Sequence, residues 1–202
     1  MANHYHRGDL PDGLKFTGSI AVDCETMGLN PHRDRLCVVQ LSSGDGDAHV
    51  VHLPDGYDAP NLKALLSDPK LLKIFHYARF DVAMIKRHLG VTCFPVYCTK
   101  IVSKLTRTNT DRHGLKSLCD DLLNIDLSKL QQSSDWGALS LSAAQVEYAA
   151  SDVLYLHRLK EKLDVLLDRE KRRELAEACF NFLPARADLD LAGWDAEDIF
   201  AH

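Results

Sequence analysis

Three short runs of β-branched and apolar residues, 20–23, 36–41 and 49–53, lie so close along the chain that only turns can join them. An antiparallel meander is the natural outcome, with Ser43-Gly44-Asp45-Gly46-Asp47 as the turn between the second and third runs. A helix over 61–66 ending near Pro69, a strand over 72–75 and a helix over 78–89 follow. After Thr99 the chain reads as mainly helical, including a highly charged stretch over 161–179 with one apolar side. Strands early and helices late place the chain among α/β proteins with a sheet flanked by helices.

Chemistry concentrates on a few acids. Strand side chains alternate, so Asp23 and Glu25 point to one side of the first strand and Cys24 to the other. Gly28-Leu29-Asn30-Pro31 ends that strand in a turn. Asp81 falls in the first turn of the 78–89 helix, where the helix dipole favours an acid with no other role. Ser142 to Gln145 fits a capping box, and apolar residues recur through Val146, Ala149, Val153, Leu156 and Leu159. In that frame Tyr148 and Asp152, four apart, share a helix face. Singly, each has an ordinary explanation: a solvated strand-end pair, a helix-start acid, a half-buried tyrosine beside a solvated aspartate. Together they form a candidate oxygen site for two divalent cations, Mg²⁺ or Mn²⁺, because hard cations take carboxylate ligands. Two such ions, roughly 3.5 to 4 Å apart, can stabilise both the attacking and the leaving oxygen of a phosphodiester. Tyr148 would aim the attacking water, a geometric role that needs no shifted pKa.

The order Asp-x-Glu, then Phe-Asp opening a helix, then Tyr-x-x-x-Asp resembles the DEDD exonucleases of the tyrosine subtype, the ribonuclease D group, over about residues 20–159. Ser134-Asp135-Trp136 ahead of the last motif belongs to the same pattern. Residues 31–45, 98–107, 110–116 and 131–136, with Phe182-Leu183-Pro184 and Gly193-Trp194, are similar to the nanoRNase C branch of that group. The resemblance implies a ribonuclease-H-like mixed sheet and a two-metal 3′–5′ exoribonuclease. It would cut very short single-stranded RNA, dinucleotides above all, to 5′-nucleoside monophosphates and assemble as a homo-oligomer, an octamer. The implied catalytic set is Asp23, Glu25, Asp81, Tyr148 and Asp152. Asp23 would bridge the metals, Glu25 and Asp152 would complete one site, and Asp81 would help hold the other, partly through water. Leu29 would wedge between bases, against core packing from the residues alone. Two alternatives stay open: trimming of longer RNA or DNA 3′ ends, and a catalytically silent nucleic-acid-binding protein.

At 202 residues, 46% hydrophobic and 26% charged, the chain suits one exonuclease domain over 1–202. Residues 180–202 are expected to serve as a docking or subunit-contact segment. The helical nucleic-acid-binding repeats of full-length ribonuclease D are not expected in these 202 residues. A net charge of −5 argues against coating long nucleic acid, whose affinity comes from Lys and Arg. The exception is local: Lys100, Lys104, Arg107, Arg112 and Lys116 face one acid, Asp111. That stretch is either a phosphate-binding surface, with Arg107, Thr108, Arg112 and His113 clamping a terminal phosphate or reaching a neighbouring subunit, or a solvated helix face. Gly114 marks a loop between two helices. Candidate substrate contacts are Thr26, Leu29, His76, Arg107, Arg112 and Lys116. Trp136 reads equally as a base platform or a packing anchor. The six cysteines lack Cys-x-x-Cys spacing and read as reduced core thiols. With no apolar run long enough for a bilayer and no signal-peptide pattern, a cytoplasmic location and no membrane partner are expected. His4 and His6 are expected in a frayed terminus.

Overall fold

The computed structural model describes residues 2–127, 131 and 133–202. Gln132, within the 131–136 segment that carries part of the resemblance, lies outside the described residues. Six strands form one mixed sheet in the order β1-β4-β3-β2-β5-β6. The predicted meander is present as β2 (Ser19–Thr26), β3 (Leu36–Ser42) and β4 (Ala48–His52), antiparallel throughout. β3 is buried along its whole length, which is why it reads as a continuous apolar run rather than an alternating one. On its other side β2 pairs in parallel with β5 (Leu72–Phe75), and β5 with β6 (Val96–Cys98). β2 is thus central, with Asp23 opposite Gln40 and a register shift between Glu25 and Thr26.

The helices are α1 (Pro60–Ser67), α2 (Ala78–Leu89), α3 (Thr99–Thr106), α4 (Leu115–Leu123), α5 (Ala143–Leu154), α6 (Leu156–Glu170) and α7 (Arg173–Leu189). The expected capping box is formed: the Ser142 hydroxyl accepts from the Gln145 backbone N–H while the Gln145 side chain accepts from Ser142. Gln145 also donates to Ser134 Oγ at 3.1 Å and to the Asp135 carbonyl at 3.0 Å, so the Ser134-Asp135-Trp136 block is tied to the start of α5. Trp136 is 2% exposed and its ring centroid lies 6.0 Å from that of Tyr148.

One expectation needs correction. The polar opening is not frayed, because β1 (Asn3–Arg7) pairs in parallel with β4. There the His4 and His6 rings stack on His49, with centroids 4.8 and 5.2 Å apart. The 161–179 stretch is helical, with one break. Lys171, at φ 53°, ends α6, and α7 then continues through Pro184 into the segment expected to dock. That segment folds back on its own chain through buried Asp190, which pairs with Arg79 of α2, while Trp194, Ile199 and Phe200 stay exposed. Five cysteines are buried and Cys179 is partly so, all as free thiols. Among the described residues no helix is long and apolar enough to cross a membrane.

Candidate active site

Three elements deliver the acids. β2 presents Asp23 and Glu25 from one face near its carboxyl end, α5 presents Asp152, and α2 presents Asp81 from its first turn. Tyr77, just before α2, holds a left-handed backbone at φ 68°, a conformation that non-glycine residues adopt at a cost and that is enriched at functional sites. Ligand oxygens of Asp23, Glu25 and Asp152 lie within 4.8 Å of one another. Asp81 stands outside that trio but lines the same cleft and raises the charge burden on Glu25. The cleft has a volume of about 730 Å³, within the ordinary range for ligand sites, and Tyr148 also lines it.

The electrostatics are those of a site short of positive charge. Among the described residues none of the four acids forms an ion pair with Lys or Arg, and Asp23 receives a long hydrogen bond from Gln40 Nε2 at 3.4 Å besides one from the Cys24 backbone. Burial pushes the Asp23 carboxyl up to about 7, against a hydrogen bond from the Cys24 backbone. Burial and then the charges of Asp23, Asp152 and Asp81 push Glu25 up to about 10. Asp81 and Asp152 are raised as well, by burial and then by Asp23. Converging carboxylates with no counter-charge fit a divalent cation, whose charge would reverse these shifts. Asp23, Glu25 and Asp152 are the residues that could hold one ion directly, with Asp81 beside them. Burial and then the charges of Asp152, Glu25 and Asp23 raise Tyr148, so its phenol keeps its proton and serves as a donor.

A pH signature follows. The folded chain holds protons on Asp23 and Glu25 more tightly than the unfolded chain, whose carboxyls titrate near 3.8 and 4.5. Their contribution to stability is therefore full below about pH 4 and is lost as pH rises through about 7 for Asp23 and about 10 for Glu25. A divalent ion competes with those protons. Thermal unfolding with and without Mn²⁺ should show a larger metal-induced rise in Tm at pH 8 than at pH 6. The difference between the two conditions cancels histidines remote from the acids, and equal rises at both pH values would overturn the assignment.

The remaining candidates divide. Leu29 is 82% exposed on the cleft rim, which excludes the core-packing alternative. Thr26 lines the cleft, although its hydroxyl donates to the Gly28 carbonyl at 2.7 Å. His76 lines it too. Its Nδ1 lies 2.9 Å from Thr99 Oγ1, which donates its own proton to the Phe75 carbonyl, so Nδ1 carries the ring proton and Nε2 is an acceptor. Burial, and then Lys100, hold His76 down to about 3 and therefore neutral. Lys116 reaches the cleft while pairing with Asp126 at 2.7 Å.

Arg107 and Arg112 do not line the cleft, and their expected phosphate clamp is not formed within the chain. Arg107 pairs with Asp121, and Arg112 lies 2.9 Å from both Asp120 and Asp121 on α4. Thr108 is no cleft residue either, and His113 is engaged at Nδ1 with Ser103 Oγ at 2.8 Å. The basic residue left out of the chosen set, Lys100, does line the cleft, with its ammonium 4.1 Å from the Tyr77 ring centroid. Met27, Phe80, Leu115 and Ser117 are further lining residues that the sequence did not single out.

Comparison with known proteins agrees with this geometry. Residues 9–168 match the family model described as 3′–5′ exonuclease. Ribonuclease D of Acidiphilium cryptum (strain JF-5) is 32% identical over 163 residues, covering 81% of this chain and 41% of that protein. The chain thus spans about two fifths of the length of these ribonuclease D relatives. Among solved structures, Brucella melitensis NrnC with bound Mg²⁺ superposes with a TM-score of 0.94 at 56% identity, covering 100% of both chains. Brucella melitensis NrnC bound to pGG gives a TM-score of 0.94 at 57% identity over 98% of both.

Proposed function

The chain belongs to the 3′–5′ exonuclease family, in the nanoRNase C branch of the ribonuclease D group, and from that premise we propose that it hydrolyses very short RNA to 5′-nucleoside monophosphates in a divalent-metal-dependent reaction. The observation that carries the proposal is the trio Asp23, Glu25 and Asp152, within 4.8 Å of one another and with no cationic partner among the described residues, in a cleft of about 730 Å³.

Bound divalent ions would supply the Lewis-acid chemistry, stabilising charge on the attacking and leaving oxygens. The rest falls to the chain. Asp23, Glu25 and Asp152 stay ionised once their repulsion is relieved, and Asp81 adds charge from α2. The protonated Tyr148 donates a hydrogen bond that orients the nucleophilic water on the face opposite the leaving group. Leu29, exposed on the rim, supplies an apolar edge against which a base can pack.

Preference for short substrates is supported by what flanks the cleft. With a net charge of −5 and Arg107 and Arg112 already paired, the described residues offer long RNA little cationic surface at the cleft beyond Lys100 and Lys116. The Brucella relative was captured with pGG, a ligand of matching size. The proposal extends to a homo-oligomer, octameric as the resemblance implies, with the exposed Trp194 and Phe200 available for contact, and to a cytoplasmic location suited to free thiols.

A length series in RNA and DNA, from dinucleotides upward, tests the substrate class. RNA dinucleotides should exceed long oligomers by at least about tenfold in kcat/KM, a difference of ~1.4 kcal/mol. Even trimming of all lengths would instead indicate ribonuclease D-like processing. No turnover with Mg²⁺ or Mn²⁺ would indicate a silent binding protein.

A further inference from the structure

A second buried charge cluster lies behind the rim of the cleft, away from the metal-type acids. Asp190 opens the turn Asp190–Trp194 after α7, and its side chain is 6% exposed. Its carboxylate accepts from Arg79 Nε at 2.7 Å and from Arg79 Nη2 at 2.8 Å. Arg186 Nη2 stands 2.7 Å from Oδ1 of the same group. The main-chain oxygen of Asp190 accepts from His32 Nε2 at 3.0 Å. Arg79 also donates to the Asp195 carbonyl at 2.6 Å, and Arg186 to the Trp194 carbonyl at 2.8 Å, so the turn is gripped from both sides.

The partners of Asp190 belong to the two lips of the cleft. Arg79 lies in the first turn of α2, directly before the cleft-lining Phe80 and Asp81. His32 lies in the turn that carries Leu29. That turn is stiff: Asn30 N donates to Asp34 Oδ2 at 2.9 Å, and Asp34 N to the Asn30 carbonyl at 2.8 Å. At Gly28 a Cβ would fall 2.3 Å from Asp34 Oδ2, so no other residue fits there unless Asp34 moves. A shift at His32 is therefore passed to Leu29. A bidentate arginine–carboxylate pair fixes direction as well as distance. Breaking it would leave two guanidinium groups without their buried partner.

Resting on the exonuclease reading above, we propose that Asp190 is a positioning residue for substrate fit. Through Arg79 and His32 it holds the Leu29 turn and the start of α2 at the separation that a short nucleic acid requires, without touching the substrate itself.

The test combines Asp190→Asn, the milder His32→Ala at an exposed side chain, and Leu29→Ala, with KM and kcat for an RNA dinucleotide and its Kd by calorimetry. Asp190→Asn should raise KM and Kd about tenfold while kcat stays within about threefold, and His32→Ala should move both constants the same way by severalfold. In a Leu29→Ala background either change should add less than about twofold, because all three act on one contact. A merely structural role would lower kcat with the folded fraction, leave KM and Kd in place and multiply with Leu29→Ala. That pattern, or unchanged KM and Kd in His32→Ala and Asp190→Asn alike, overturns the proposal. Turnover by the unaltered protein is read separately: without it the exonuclease reading fails, and the Kd pattern still decides the role of Asp190.

Discussion

Asp23→Asn will abolish nearly all metal-dependent turnover of a dinucleotide, by about 10³- to 10⁴-fold, and will make the ion-free protein more stable at pH 8. Both effects have one cause. The Asp23 carboxyl shares a pocket with Glu25 and Asp152, and burial has pushed it up to about 7. Replacing it by a neutral amide removes a ligand charge that a divalent ion would need. The loss in rate corresponds to ~4–5.5 kcal/mol at 1.36 kcal/mol per tenfold. The same replacement relieves repulsion with Glu25 and Asp152, contributing about 1–3 kcal/mol to the ion-free state, or roughly 2–12 °C in Tm. The sign is set by protonation: well below pH 4 Asp23 is neutral in both folded and unfolded chains, so the gain should vanish there, grow as pH rises from about 4 to about 7 and level off above that. Calorimetry in EDTA across that range checks it. A variant that retains turnover, or that melts earlier than the parent at pH 8, would remove the basis for a cation site.

Tyr148→Phe should lower kcat about 100-fold while leaving the metal-induced rise in Tm intact. The ring is held by Trp136, with centroids 6.0 Å apart, and phenylalanine keeps that packing. Only the hydroxyl is lost. Because burial and the neighbouring acids keep the phenol protonated, its contribution is to orient water, so the pH profile of the residual activity should keep its shape. A fall of less than about threefold would assign the tyrosine to packing alone. Loss of the metal-induced stabilisation would assign it to the ion site instead.

The parts of this arrangement that could be read from the residues are those with a local period. Alternation along β2 aligned Asp23 with Glu25, and the Ser142–Gln145 box set the helical frame in which Tyr148 and Asp152 face the same way. β1 escaped notice because Asn3-His-Tyr-His-Arg7 has no apolar face to betray it. It is an edge strand held by main-chain pairing and ring stacking. β6 is only three residues long. The basic stretch divides for a topological reason. The cleft opens where the parallel strands β2, β5 and β6 end, and α3 begins there, so Lys100 in its first turn reaches the cleft. Arg107, two helical turns or about 10 Å further on, meets the acids of α4 instead. The sequence contains Asp120 and Asp121, but only the folding of α4 back toward α3 reveals them as partners. Asp190 belongs to the same class: its place behind the cleft depends on α7 returning to α2, and no local pattern announces it.

The central strand that supplies two of the acids precedes the helix that supplies the third, and β3 to β6 and α1 to α4 fold between them. Any break in the chain ahead of α5 therefore leaves the first carboxylates without their partner, and with them no complete cation trio.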